Sequence, residues 1–349
     1  MTSSLLYCGV DTLEATFEGE LEYGLIELLQ KSKDRAQLTD QAQPLMIGDS
    51  ELFLSPKGLG KYRFVLSDAD LQLRVSVAKR GIPPVSVRLF ASALAGSGHE
   101  ALYSKALRLA AELGANVENT LSRIDLCLDV QGWEFTESDK KRIVCPASFV
   151  SNIEDGEGHS FQFGKGYVVV RIYRKDAELK AKKKLSYAKL WEKAPGYDPS
   201  LPVWRIEVQL RGSALKELNA RSVAVAFTKL PKLFFYGLTW CELRVPTDTN
   251  KTRWPLDLTW GILRELWGAS EPEPRIRHAS RAESEERVIS RIYGALASLG
   301  AYCTRDDLLS VMEYALVMIE LQLTDRGVEF PSLVEEKRVR QIAEQGVPF

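Results

Sequence analysis

Three stretches of the chain alternate apolar and polar side chains with a period of two, the signature of strands that bury one face. Residues 121–130 read LSRIDLCLDV, sending Ile124, Leu126 and Leu128 one way and Arg123, Asp125, Cys127 and Asp129 the other. Residues 168–175, VVVRIYRK, set Val168, Val170 and Ile172 against Arg171, Tyr173 and Lys175. Residues 203–212, VWRIEVQLRG, set Trp204, Ile206, Val208 and Leu210 against Arg205, Glu207, Gln209 and Arg211. If the three share an antiparallel sheet packed on helices, their polar sides present Asp125, Asp129, Glu207 and Tyr173 together. That would be a metal site beside a nucleophile.

Other elements surround these strands. Residues 7–17 read as a first strand; Asp11 in it either joins the acidic group or is a solvated strand aspartate. A helical pattern follows at 21–36, then alternating stretches at 50–54, 61–66, 71–78 and 85–90 separated by Gly, Pro and Asp turns. Residues 92–98 are small and read as a loop, either ordinary or one where backbone approaches a ligand, before a helix at about 100–114. A short helix at 136–143 has Thr136 and Asp139 as cap candidates, and 151–159 reads as an acidic turn before the strand SFQFGKG. Helices are expected at 213–218 and 223–230, with 240–245 closing the sheet. The Glu- and Pro-rich stretch 271–274 suggests a linker to helices at 283–299 and 306–323, the second capped by Thr304 and Asp307. The expected architecture is α+β: antiparallel palm-like sheets packed with helices over residues 1–268, plus a C-terminal helical appendage over 269–349.

Composition narrows the function without naming it. The 349 residues are 45% hydrophobic and 27% charged, ample for a buried core. With 46 Lys and Arg against 47 Asp and Glu the net charge is -1, so an anionic partner must be met locally. No apolar run approaches a membrane span and the N-terminus lacks a signal-peptide pattern, so the chain is expected in the cytoplasm. The five cysteines and three histidines are scattered, without zinc spacing or a disulfide framework.

Tyr173 flanked by Arg171 and Lys175 is the candidate nucleophile. Positive neighbours favour the phenolate, and the same cations could hold a phosphate. The same residues also suit a half-buried tyrosine at a strand end. Downstream, Arg174, Lys175, Lys180, Lys182, Lys183, Lys184, Lys189 and Lys193 outnumber Asp176, Glu178 and Glu192, with Tyr187 and Trp191 interleaved as stacking surfaces. This run suits phosphate-backbone contact, or a solvated helix face.

In their order and spacing, RIDLCLDV, FGKGYVVVRIYRKDAE and VWRIEVQLRG resemble the replication initiation factor family. It includes rolling-circle initiators of plasmids and filamentous phages and related relaxases of conjugative elements. The close likeness covers residues 123–212; the N-terminal strands and 250–267 agree more loosely. The resemblance implies a palm-like sheet that nicks one DNA strand and later rejoins it, with Tyr173 as nucleophile. Lys175 and Arg171 would bind the scissile phosphate; Asp125, Asp129, Glu207 and Glu178 are the candidate metal ligands. Hard oxygen donors suit Mg²⁺ or Mn²⁺, and attack would leave a 5′-phosphotyrosine and a free 3′-hydroxyl. DNA contacts are expected at Arg174, Lys180, Lys182, Lys183, Lys184, Arg205 and Arg211. The implied partners are a single-stranded or extruded origin, with a host helicase and polymerase to follow. For the C-terminal helices homodimerisation, partner docking and DNA contact stay open. A relaxase with the same chemistry and a non-catalytic DNA-binding protein are the alternatives.

Overall fold

The structure is a computed structural model that describes residues 4–77, 81–115, 119–147, 150–155, 158–183, 185–276 and 285–345. From the N-terminus, β1 (Ser4–Phe17) leads through α1 (Tyr23–Thr39) into a meander of β2 (Gln43–Ile47), β3 (Ser50–Leu54), β4 (Phe64–Ser67), β5 (Leu71–Val75) and β6 (Val85–Leu89). Helices α2 (Ala91–Ser97) and α3 (His99–Glu112) then lead to β7 (Asn119–Gln131), α4 (Glu137–Arg142) and β8 (Ile143–Val144). A second meander follows: β9 (Val150–Asp155), β10 (Gly158–Phe163) and β11 (Val168–Arg174). After α5 (Lys175–Ala181) and a 3₁₀ segment at Leu185–Lys193, the chain returns as β12 (Trp204–Arg211). Then come α6 (Ser213–Glu217), α7 (Val223–Phe227), α8 (Leu230–Trp240), β13 (Glu242–Leu243) and α9 (Leu258–Glu265). These elements lie in the first of two compact units, Met1–Ile276.

The α+β architecture is built on one antiparallel sheet of 11 strands in the order β2-β3-β4-β5-β6-β1-β7-β12-β11-β10-β9. Each half is a long central strand with a meander that folds back to pair with it, β6 on β1 and β12 on β7. The two central strands pair with each other from Ser4↔Gln131 to Phe17↔Asn119. The alternation read from sequence holds in β7, β11 and β12. Ile124, Leu126 and Leu128, Val170 and Ile172, and Ile206, Val208 and Leu210 all have no exposure. They lie on the face covered by α6, α7 and α8.

Several local expectations change. The small-residue stretch after β6 is a helix, α2, rather than a loop. The acidic stretch expected to turn is mostly strand, β9 pairing with β10. Strand β13 does not close the main sheet; it pairs with β8 in a separate ribbon. The alternation does not mark helix α8 or strand β2. Helix α8 is apolar on nearly every side, which erases the amphipathic stripe. The Thr136 and Asp139 caps do form, as a reciprocal capping box on α4.

The second unit, Arg277–Phe349, contains α10 (Glu285–Cys303), α11 (Leu308–Arg326) and α12 (Phe330–Gln345). Asp307 caps α11, accepting from the backbone of Leu309 and Ser310. Among the described residues no helix is long and apolar enough to cross a membrane.

Helix α8 approaches β12 so closely that a Cβ on Gly237 would stand 2.6 Å from Val208 Cγ2. Exposed helix positions favour Ala over Gly by about 1 kcal/mol. Here overpacking reverses the sign, and Gly237→Ala is expected to destabilise by roughly 1–3 kcal/mol. Denaturant unfolding followed by circular dichroism checks this; a gain in stability would show that the helix can back away from the strand.

Candidate active site

The strand register lines up the polar side chains in rows. Tyr173 faces Arg205 across β11 and β12, Arg205 faces Asp129 on β7, and Asp129 faces Tyr7 on β1. In the next row Arg171 faces Glu207, which faces Cys127. Paired residues in an antiparallel sheet point to the same side. The three strand motifs therefore do bring their polar faces together, on the side away from α6 to α8. That side is partly covered by a small apolar cluster of Leu6, Leu179, Tyr187, Trp191 and Val203.

Arg205 is the centre of this layer and has no exposure. Its Nε donates to Asp129 Oδ1 at 2.5 Å and its Nη2 to Asp129 Oδ2 at 2.8 Å. Nη1 donates to Asp11 Oδ1 at 2.5 Å and Nη2 also to the Tyr187 hydroxyl at 2.7 Å. Trp191 Nε1 donates to Asp129 Oδ2 at 2.9 Å. Burial opposes the charge on Arg205, but Asp129 holds its pKa well above the ordinary arginine value. Two expectations fail here for one reason. Arg205 cannot be a DNA contact because its donors are spent inside the protein, and Tyr187 and Trp191 are buried staples of the same network rather than exposed stacking surfaces.

Asp11 reaches Arg205 because β1 is irregular. Val10 pairs with Leu126 and Thr12 with Asp125, leaving Asp11 unpaired in a register shift. A bulge of this kind turns neighbouring side chains to one face, and Asp11 and Thr12 both line a cleft of about 840 Å³. Tyr173, Lys175, Glu178, Lys182, Arg88 and Glu207 line the same cleft. Alternation with Tyr7 and Gly9 already sets Asp11 on the polar face, in line with one of the two readings of this strand; the register shift that adds Thr12 to the same face is what the sequence does not show.

Within the cleft, the Tyr173 hydroxyl donates to Glu207 Oε2 at 3.1 Å. Arg171 holds the other side of that carboxylate, Nη1 to Oε1 at 2.7 Å, and is itself held by Gln162 at 2.9 Å and Gln209 at 3.3 Å. Burial pushes Glu207 up to about 7, helped by the charges of Asp11 and Asp125 and opposed by Arg171. The Tyr173 phenol moves opposite to expectation. Burial and the Glu207 carboxylate raise its pKa well above 10, with Arg205 the opposing cation. Lys175 is buried, 5.6 Å from the centre of the Tyr173 ring, and donates to Glu178 Oε2 at 2.5 Å. Burial works against the Glu178 charge, but Lys175 and Lys182 hold its pKa below the ordinary value.

The predicted acids separate into two pairs. Glu207 and Glu178 open onto the cleft, whereas Asp125 and Asp129 have 1% and 0% exposure and are spent on Arg123 and Arg205. Burial, more than its partner Arg123 can offset, pushes Asp125 up. The four do not form one shared ligand set, and no group of three or more metal-ligating side chains occurs among the described residues. Arg171 orients Glu207 instead of lining the cleft. Arg174 is bound to Asp176 at 2.9 and 2.7 Å. Lys180, Lys182 and Lys183 are exposed, Arg211 is half-buried on the polar face of β12, and Lys184 lies outside the described residues. A hard divalent cation still has suitable donors: Mg²⁺ is commonly held by one or two carboxylates together with substrate phosphate. Asp11 and Glu207 line one cleft, and the charge of Asp11 already raises the Glu207 pKa.

No protein-family profile matches the chain. It is 23% identical over 254 residues to the uncharacterized protein ORF430 of Pseudomonas phage Pf1, covering 62% of this chain and 56% of that protein. The chain thus spans little more than half the length of this curated relative. The solved structure of a rolling circle replication initiator protein from Geobacillus stearothermophilus is also similar. That match has a TM-score of 0.47 and 17% sequence identity, covering 79% of this chain and 100% of the other.

The Arg205 network carries a direct consequence for stability. Removing one partner of a buried ion pair strands the other charge and costs roughly 3–5 kcal/mol. Asp129→Ala is therefore expected to lose that much folding free energy in denaturant titration. Glu178→Ala, half-buried where it pairs buried Lys175 and exposed Lys182, is expected to lose less, about 1–3 kcal/mol. Equal losses would remove the distinction between buried scaffold and cleft.

Proposed function

We propose that the chain initiates rolling-circle replication by nicking one DNA strand through Tyr173. The observation that carries this is the contact between the Tyr173 hydroxyl and Glu207 in a cleft that also presents Lys175 and Lys182. The ordered strand motifs and the partial likeness to a phage protein support the setting of a mobile genetic element. A phenol whose pKa is raised is a poor nucleophile until its proton is taken, and Glu207 is placed to take it. A carboxylate with a pKa near 7 is a better matched acceptor than an ordinary glutamate.

Attack by the Tyr173 oxygen on phosphorus forms the tyrosyl phosphate ester and breaks the bond to the departing 3′-oxygen, which leaves as a hydroxyl once protonated. Lys175 and Lys182 offer positive charge where the phosphate would lie. Asp11 and Glu207 are the residues that would hold Mg²⁺ or Mn²⁺, which when bound neutralises developing charge on the phosphate oxygens. Arg171, Gln162 and Gln209 keep the Glu207 carboxylate turned toward the phenol, so Arg171 serves as a positioning residue. DNA must reach the cleft as a single or extruded strand, since a stacked duplex hides the bond.

The test is formation of a covalent protein–DNA adduct, stable to denaturing electrophoresis, from a single-stranded origin oligonucleotide. Tyr173→Phe is expected to abolish the adduct while keeping DNA binding within a few-fold; an adduct formed by this variant places the nucleophile elsewhere. Asp11→Ala is expected to lose cation-dependent cleavage at least as severely as Glu178→Ala.

The pH profile offers a second check. Glu207 accepts a proton only when ionised, so adduct formation rises with pH. A bound cation favours the carboxylate and lowers the midpoint; lowering the cation concentration is expected to move the midpoint up toward about 7. A profile insensitive to cation concentration would separate Glu207 from the cation.

A further inference from the structure

A second polar cluster lies on the same face of the sheet, toward the first meander. Glu14 on β1 faces Arg123 on β7 and Arg88 on β6. It is shared by three guanidinium groups: Arg74 Nη1 at 3.3 Å, Arg123 Nη1 at 3.7 Å and Arg88 Nε at 3.8 Å. Arg211 on β12 stands directly across from Arg123. Four arginines on neighbouring strands thus face two carboxylates, Glu14 and Asp125. Like charges placed directly opposite in a sheet are destabilising, and among the described residues Arg211 faces Arg123 without an ion pair of its own, while Glu207 adds to the acids that act on Arg123. The Nε atoms of Arg88 and Arg211 are buried without hydrogen-bond partners. Native proteins rarely leave such donors unmet without a reason.

The cluster also joins two concavities. Arg88 lines the Tyr173 cleft. Arg74 lines a shallow groove of about 400 Å³ with Lys61, Tyr62, Leu59 and Pro83. Both arginines are held by Glu14, so a strand leaving Tyr173 meets positive charge from the cleft to this groove. Tyr62, half-buried beside Arg74, supplies an aromatic ring at the far end. From β11 to β5 the path crosses five strand spacings, on the order of 24 Å.

We propose that Arg211, Arg88 and Arg74 form a phosphate track that holds the single-stranded DNA flanking the nick site, with Arg123 fixed between them by Asp125 and Glu14 and Tyr62 stacking on a base at its end. This rests on the reading of the Tyr173 cleft as a site for a DNA strand. The track runs from β12 to β5 and is separate from the exposed lysines of α5. The guanidinium groups fit a polyanion, and their spacing across neighbouring strands fits an extended single strand.

The test is fluorescence anisotropy of a labelled oligothymidylate of roughly 20 nucleotides, titrated at several salt concentrations with the full chain carrying Tyr173→Phe, so that no covalent step contributes. Adding Arg74→Gln and Arg88→Gln is expected to weaken binding about tenfold and to flatten the slope of log K against log salt by about 1.4, since each phosphate left without its cation removes about 0.7. Arg74→Lys with Arg88→Lys keeps most of the slope, and Tyr62→Ala weakens binding with the slope unchanged. If the double glutamine variant does not fold, Arg88→Gln alone, whose side chain is 40% exposed, is expected to lower the slope by about 0.7. Wild-type affinity and slope in a folded glutamine variant would overturn the track while leaving the nicking reading intact. A reduced slope in the glutamine variants, together with no adduct formed by the chain that retains Tyr173, would keep the track and remove the nicking reading.

Discussion

The polar side of this sheet depends on one buried cation. Arg205 is sealed from solvent, so its charge survives only because Asp129 meets it with two hydrogen bonds and Asp11 with a third. An isolated charge in such a place would cost several kcal/mol. The requirement for partners fixes the surroundings: Asp129 is locked between Arg205 and Trp191, and Tyr187 is drawn under the 3₁₀ segment to accept from Nη2. Through these bonds the β12 side of the sheet is tied to β1 and to the covering segment that follows Tyr173.

That scaffold determines what remains available for chemistry. Asp129 is consumed by Arg205 and Asp125 by Arg123, so two of the acids on the motif strand β7 neutralise internal charge. Glu207 is left facing the phenol in a poorly hydrated setting with Asp11 nearby, and its proton affinity rises accordingly. The same electrostatics make Tyr173 reluctant to ionise in the absence of a further cation. On the nicking reading proposed above, a Tyr173 that stays protonated until a cation arrives is protected against adventitious reaction. Its activation is thereby coupled to whatever supplies that charge.

The duplicated layout of the sheet gives the two halves different work. In both, a meander returns to a long central strand, and the central strands pair at the middle. The second half carries the phenol and Glu207, and the arginine cluster around Glu14 straddles the seam, with Arg74 and Arg88 on the first half and Arg123 and Arg211 on the second. The polar face carries both signs on β12, β7 and β1, and beyond β1 the cluster continues with Arg88 and Arg74. On the proposed reading, this face holds an extended single strand whose reacting bond sits at the Tyr173 end.

Much of this was legible from the chain alone. Period-two alternation identified β7, β11 and β12 and which residues of each face the polar side, because the apolar partners must be removed from water whatever the strand order. Tyr173 and Glu207 were found in this way, and the capping box on α4 from the spacing of Thr136 and Asp139. Pairing decided the rest. Whether an acid on a polar face binds an external cation or an internal one depends on which guanidinium the register sets opposite it, and the register joins Asp129 to Arg205 across 76 residues of sequence. The lysine run looked basic, yet its aromatic residues are buried because the fold needs them under Arg205. The bulge at Asp11 and the convergence of Arg74, Arg88 and Arg123 on Glu14 leave no periodic trace, since each arises from contacts between strands far apart in the chain. Sequence determined which side chains would face away from the core; only the tertiary pairing decided which charges meet, and hence which remain free to act.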